Sequence, residues 1–96
     1  MTGTTRSSKG LDPRRRKLLF RAWRRGIREM DLVLGPFADA CIADFGAREL
    51  DEFERLMEVP DHALYDWIVG ENAAAADYDT ALLQRLRAFH RRGDKA

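Results

Sequence analysis

The sequence predicts an all-α protein, a small bundle of about five short helices, and three observations lead to this fold class. Apolar residues recur at steps of three or four through most of the chain, which is the spacing of one helix face. No segment shows the two-residue alternation of a strand, and neither an Asn-Gly nor an Asp-Gly hairpin turn occurs. Glycine and proline fall mostly between the periodic segments, where they end helices. The 96 residues fit one such domain.

The first helix is predicted to begin at Asp12 and Pro13, because aspartate caps a helix well and proline at its first position loses no needed donor. Gly26 is the predicted stop, since glycine adopts the left-handed conformation at little cost. Arg24 and Arg25 would then occupy the last turn, where cations favour the negative end of the helix dipole. The predicted apolar face comprises Leu19, Phe20, Trp23 and Ile27.

The second helix is predicted to begin at Ile27 or Arg28 and to end near Asp44. Gly35-Pro36 interrupts it, and a proline inside a helix costs about 3 kcal/mol and bends it. The segment is therefore either one kinked helix or two separate pieces, and we favour the kinked helix. Its apolar stripe is formed by Ile27, Met30, Leu34, Phe37, Cys41 and Phe45.

The third and fourth helices are separated by a proline. The third is predicted at Arg48 to Glu58, and Val59-Pro60 ends it because the residue before a proline avoids helical geometry. The fourth is predicted at His62 to Val69, with Asp61 as its cap and Gly70 as its end. Their predicted inner faces are Leu50, Phe53, Leu56 and Met57 in the third helix, and Leu64, Trp67 and Ile68 in the fourth.

The fifth helix follows an alanine-rich linker at 71–76, although the alanines could begin it early. Asp77 or Asp79 is the predicted cap, and the helix is expected to reach Arg92 before Gly93 ends it. The predicted stripe is Tyr78, Leu82, Leu86 and Phe89.

Domain organisation and charge divide the chain unevenly. Residues 1–11 are predicted to be a flexible basic tail, 12–93 a single helical domain, and 94–96 a short C-terminal tail. The net charge is +8 over residues 1–25 and −7 over residues 26–96. Either the basic head packs against an acidic body, or it meets an acidic partner. No stretch approaches the roughly 20 apolar residues that span a bilayer, so no membrane insertion is expected.

Residues that carry chemistry are few and scattered. Cys41 is the only cysteine and lies among apolar residues, which predicts a small buried hydrophobe in a reducing compartment. His62 and His90 lack partners at ligand spacing, so no metal site is expected. No glycine-rich phosphate loop occurs. Glu29 and Asp31, two residues apart, point in different directions on a helix and make an unlikely acid–base pair. The sequence therefore indicates a protein that is not an enzyme.

The basic first helix admits a solvated face, a nucleic-acid-binding face or a protein contact. Its arginines could track phosphates beside Phe20 and Trp23, but both aromatics share the apolar stripe and are expected in the core. The acidic remainder of the chain would repel a nucleic-acid backbone. Trp67 is likewise predicted in the core, with an exposed anchor for a partner as the alternative.

The segment from Arg24 to Asp31 places a glycine between paired arginines and two acids. Gly26 could simply end one helix, while Glu29 stabilises the start of the next by about 0.3–1 kcal/mol. The alternative is a charged contact surface, on which glycine permits close backbone approach.

This segment also carries a family resemblance. Arg25-Gly26-Ile27-Arg28-Glu29 reads R-G-x-x-E and follows a basic helix with an aromatic residue, Trp23. The later markers, in order, are Asp31, Pro36-Phe37, Phe53-x-x-Leu56-Met57, Pro60-Asp61 and Leu64-x-x-Trp67. The ordered set, from about Arg15 to Phe89, resembles the SdhE-type succinate dehydrogenase assembly factors, also called flavinators.

The resemblance implies a five-helix protein, without an active site of its own, that binds the flavoprotein subunit of succinate dehydrogenase, or in some bacteria that of fumarate reductase. Such proteins promote covalent attachment of FAD to a histidine of that subunit. FAD would be held by the partner, so no stably bound cofactor is expected here. We expect a monomer in the bacterial cytoplasm, or in the mitochondrial matrix of a eukaryote. Two alternatives to this function remain: nucleic-acid binding through the basic first helix, and an antitoxin-like regulator, a label that members of this family have sometimes carried.

The motif of that family carries over to three positions here, and their neighbours are expected to contribute to the same surface. The predicted partner-binding residues are Arg24, Arg25, Gly26, Ile27, Glu29 and Asp31. Ile27 stands where relatives often have methionine, which is a conservative departure.

Overall fold

The structure, a computed structural model, describes residues 10–70 and 72–93. Predictions for 1–9, Glu71 and 94–96 lie outside these residues. The described part contains helices and no strand, which confirms the all-α bundle. Two 3₁₀ turns, Ile42–Asp44 and Ala76–Tyr78, accompany five helices: α1 Pro13–Trp23, α2 Arg28–Cys41, α3 Ala47–Met57, α4 Asp61–Val69 and α5 Ala81–Gly93.

Four phenylalanines form the centre of the core. The Phe37 ring lies with its centroid 6.0 Å from that of Phe45, 6.2 Å from that of Phe53 and 5.6 Å from that of Phe89. Tilted and edge-on ring pairs at these separations add to the hydrophobic free energy of burial. Because these rings come from α2, α3, α5 and the segment between α2 and α3, the cluster joins most of the bundle.

A close contact between α1 and α2 explains the glycine at position 35. A Cβ on Gly35 would lie 2.3 Å from Cδ2 of Trp23, so only glycine lets the indole reach the α2 backbone. Trp23 Nε1 also donates a hydrogen bond to Asp39 Oδ1 at 3.2 Å. The helix continues through Pro36, as the single-helix prediction required. It ends at Cys41, and the last predicted turn is 3₁₀ rather than α.

The predicted stop of α1 and the predicted caps of α4 and α5 are wrong. α1 ends at Trp23, because Arg24 leaves helical geometry at φ −134°, so Arg24 and Arg25 are not in its last turn. α4 begins at Asp61 with Pro60 as its N-cap, and Asp61 makes no cap because its carboxylate binds another partner. The predicted aspartate cap of α5 is replaced by Thr80, whose Oγ1 accepts a hydrogen bond from Leu83 N at 3.2 Å.

Two apolar residues predicted on inner faces are exposed. Phe20 is 60% exposed, because α1 buries Leu18, Leu19 and Ala22 instead. Ile27 is 44% exposed, because it lies in the loop before α2 rather than on a helix face.

Three other residues predicted in the core do contact it. Trp23, Cys41 and Trp67 are partly buried and pack against the core. Leu11, predicted in the flexible tail, also packs there.

Part of the charge asymmetry is compensated inside the bundle, by ion pairs between α1 and α3. Arg14 Nε donates to Glu54 Oε2 at 2.7 Å and Arg21 Nη2 to Glu58 Oε2 at 3.1 Å. Arg15 donates to the carbonyl oxygens of Ile42 and Phe45. The basic first helix therefore packs against an acidic third helix, the first of the two alternatives left open by the sequence.

Candidate functional site

The loop between α1 and α2 carries the R-G-x-x-E motif, and its first residue is turned inward. Arg25 Nη1 donates to Met57 O at 2.6 Å and Nη2 to Val59 O at 2.7 Å. Arg25 Nε donates to Asp61 Oδ1 at 2.7 Å. The guanidinium side chain is only 11% exposed. It thus fixes the loop to the α3–α4 junction, where it binds carbonyls at the end of α3 that lack helical partners.

Asp31 holds the backbone of the same residue. Its Oδ1 accepts a hydrogen bond from Arg25 N at 2.8 Å, so the first turn of α2 clasps the loop from the other side. Of the six predicted partner-binding residues, Arg25 and Asp31 are therefore engaged within the chain. Their surroundings give them a positioning role.

Gly26 lies at the top of this fixed loop. Its φ of +97° is in the left-handed region, where side-chain-bearing residues are strained. No described atom lies within 4 Å of the place where its Cβ would be. The conformation thus requires glycine, while the space above the residue is open. The sequence prediction of a left-handed glycine is confirmed, although α1 ends before it.

Three residues near Gly26 in the sequence are exposed: Arg24, Ile27 and Glu29. The Arg24 guanidinium carbon lies 4.9 Å from the centroid of the Phe20 ring. The Glu29 carboxylate, in the first turn of α2, has no hydrogen bond or ion pair to any residue in 10–70 or 72–93. This side of the motif is therefore accessible, unlike Arg25.

Two grooves meet at Glu29. One of about 280 Å³ lies between the start of α2 and α4, and one of about 470 Å³ runs along α2 towards the end of α5. Both are lined by Glu29 and Tyr65. The smaller groove adds Ile27, Met30, Asp61 and His62, and the larger adds Leu32, Val33, Pro36, Phe89 and His90.

Sequence reasoning missed most of the groove walls. Leu32 is 55% exposed and Tyr65 is 37% exposed, and neither lies on a predicted apolar stripe. Large apolar residues off the stripe were the available signal, since such residues mark exposed patches when their helix buries its other face. That the two residues meet across α2 and α4 depends on the packing of the helices and could not be read from spacing.

The surface formed by the Gly26 loop and the two grooves combines exposed backbone with polar and apolar side chains. No group of three or more histidines, cysteines or acids that could hold a metal is found in the described residues. No helix among them is long and apolar enough to cross a membrane. The surface offers an exposed backbone at Gly26, the carboxylates of Glu29 and Asp61, the imidazoles of His62 and His90, and several apolar side chains.

Comparison with known proteins agrees with this description. A family model described as "Flavinator of succinate dehydrogenase" matches residues 16–90. The chain is 38% identical over 76 residues to the FAD assembly factor SdhE of Acetobacter pasteurianus, covering 79% of this chain and 70% of that protein. It is 35% identical over 78 residues to the mitochondrial succinate dehydrogenase assembly factor 2 of Debaryomyces hansenii, covering 81% of this chain.

A more distant relative, the mitochondrial succinate dehydrogenase assembly factor 2 of Dictyostelium discoideum, is 30% identical over 73 residues, 76% of this chain. The chain spans about half the length of these two mitochondrial relatives, 51% and 52%. No solved structure matches it. The relatives are named as assembly factors rather than enzymes, which confirms the expectation of a non-enzyme. The chain belongs to the flavinator of succinate dehydrogenase family, a family of assembly factors.

Proposed function

We propose that this protein binds the flavoprotein subunit of succinate dehydrogenase, or that of fumarate reductase, and promotes covalent attachment of FAD to it. One observation carries the proposal: Arg25 holds the inner side of the loop at Gly26, while the outer side of the loop is exposed. A loop held by four hydrogen bonds loses little conformational freedom when a partner docks. Gly26, Ile27 and Glu29 then make the contact, and Arg25 and Asp31 hold them in place.

The protein contributes placement rather than an acid or a base. The family resemblance implies that the bond forms between the partner's histidine and its flavin. Such a reaction gains rate when both reactants are held in a reactive arrangement. A binder on the flavoprotein surface can favour that arrangement without touching the reacting atoms.

Free FAD does not suit the grooves of this chain. Both grooves are lined by Glu29, whose carboxylate has no ion-pair partner in the described residues and repels a diphosphate. We propose that the flavin stays with the partner and that this protein binds none of it stably. The site of action is a reducing compartment, the bacterial cytoplasm or the mitochondrial matrix.

The test is co-expression of the flavoprotein subunit with and without this protein, read by in-gel fluorescence of covalent flavin. We expect more covalent flavin with the wild-type protein, and the level of the empty control with Glu29→Ala. Equal fluorescence in all lanes contradicts the proposal.

Nucleic-acid binding receives less support, because three arginines of α1 are used internally. Arg14, Arg15 and Arg21 bond to acids or carbonyls of the bundle. Filter binding against salt tests this alternative, since phosphate binding weakens steeply as salt rises.

A further inference from the structure

Most of the exposed large apolar side chains among the described residues lie in one region. Five are at least one-third exposed among the described residues: Phe20, Ile27, Leu32, Tyr65 and Val69. Three of these, Ile27, Leu32 and Tyr65, line the two grooves that meet at Glu29. Exposed apolar groups that are contiguous and edged by polar residues mark contact surfaces.

The negative charge of Glu29, where the two grooves meet, favours a positively charged group of a partner at that point. The Glu29 carboxylate stands between the two grooves and has no partner in the described chain. The other two acids nearby, Asp31 and Asp61, are occupied by the backbone and side chain of Arg25. A positive side chain at the junction would pair with Glu29, with the Tyr65 ring beside it as a cation–π wall.

We propose that the two grooves hold an extended segment of the flavoprotein subunit, in which an arginine or lysine at Glu29 lies between two apolar side chains, one in each groove. This inference rests on the proposed function, and it adds a second contact with the flavoprotein subunit, in the grooves, to the contact at the Gly26 loop. Ile27 directly follows Gly26 and lines the smaller groove, so the loop and the grooves form one continuous surface. The two grooves adjoin one another at Glu29 and Tyr65, which suits neighbouring side chains of one segment.

The test measures binding of the purified flavoprotein subunit by biolayer interferometry, with the full-length chain immobilised. Leu32→Asn and Tyr65→Ala should each weaken binding by about tenfold, as for side chains that anchor an interface. Val69→Asn is the matched control, because Val69 is 40% exposed but lines neither groove. It should bind as the wild type does.

The charge is tested separately by salt. Glu29→Gln should weaken binding and flatten its dependence on ionic strength, since a charge pair is screened and an amide contact is not. Combined with Tyr65→Ala, its effect should fall short of the sum of the two single effects, because both residues hold the same side chain. Thermal melts of each variant establish that the fold is intact.

The outcomes separate this proposal from the one on which it rests. If Leu32→Asn and Tyr65→Ala bind like the wild type while Gly26→Arg abolishes binding, the grooves are not used and the loop contact stands. If the wild type binds no flavoprotein subunit, the proposed function itself fails. If Leu32→Asn instead abolishes a dimer seen by sedimentation and leaves subunit binding unchanged, a second copy occupies the grooves and the proposal is overturned.

Discussion

Arg25 and Glu29 belong to the same short motif, yet the two charges lie in opposite surroundings. The Arg25 side chain is 11% exposed and reaches two carbonyls and a carboxylate of the α3–α4 junction. Glu29 is exposed, and its carboxylate makes no hydrogen bond or ion pair within the described residues. A motif of this kind therefore contains one residue that builds the surface and one that is presented by it. Stability and binding should separate cleanly between them.

Replacing Arg25 should have the largest effect on stability. Arg25→Ala removes a partly buried charge and leaves Met57 O, Val59 O and the Asp61 carboxylate without their donor. Because hydrogen bonds to charged groups contribute about 1.5–3 kcal/mol each and are not additive, we expect a loss of about 3 kcal/mol in unfolding free energy. Urea denaturation measures it. Arg48→Ala is the control, since Arg48 is 91% exposed and should change stability little.

Arg25→Lys distinguishes the geometry of the guanidinium from its charge. A lysine keeps the charge but cannot direct three donors in a fixed planar arrangement, so much of the stability should remain lost. If Arg25→Lys matches the wild type in both stability and flavin attachment, the loop is not held by the three contacts described here.

Replacing Gly26 should lower stability by an intermediate amount and should also lower flavin attachment, because this residue both shapes the loop and lies on the contact surface. Gly26→Ala places a side chain at φ +97°, which costs about 1–2 kcal/mol for an L-residue in left-handed geometry. Nothing described within 4 Å opposes the new methyl group, so the loss is conformational rather than steric. Circular dichroism melts measure the loss. Flavin attachment at a temperature where the variant is folded should fall further than the stability change explains.

Replacing Glu29 should change stability little and flavin attachment strongly, which is the reverse of the emphasis expected for Arg25. Glu29→Gln removes a solvated charge near the start of α2, so the change in unfolding free energy should stay within about 0.5 kcal/mol. Covalent flavin on the partner should fall nonetheless. A large loss of thermal stability with normal flavin attachment would reassign Glu29 to the same structural role as Arg25.

The sequence was sufficient to predict the helices and to single out this motif, but not to predict which way its charged side chains point. Helical spacing located all five helices because each buries an apolar stripe of its own. The partners of the Arg25 side chain are 32 to 36 residues away, and no local pattern encodes them. The same holds for Gly35, whose necessity appears only when Trp23 is seen against it. Leu32 and Tyr65 lie off the apolar stripes of their helices, so helical spacing alone does not mark them as part of a binding surface.

The smallest effect should come from the ion pairs between α1 and α3, which are structural like Arg25 but exposed. Hydrogen bonding from Arg14 lowers the pKa of Glu54 below its ordinary value of 4.5. A carboxylate with a depressed pKa in the folded state stabilises the fold above the unfolded pKa, and this contribution disappears as the pH falls through the folded pKa. Glu54→Gln should therefore melt slightly below the wild type at pH 7, and the difference should vanish well below pH 4.5. Because both side chains of the pair are more than a third exposed, added salt should shrink the difference at pH 7 as well. A difference that persists in acid would mean that Glu54 acts through packing rather than charge, and that the α1–α3 face resembles the Arg25 contact more closely than its exposure indicates.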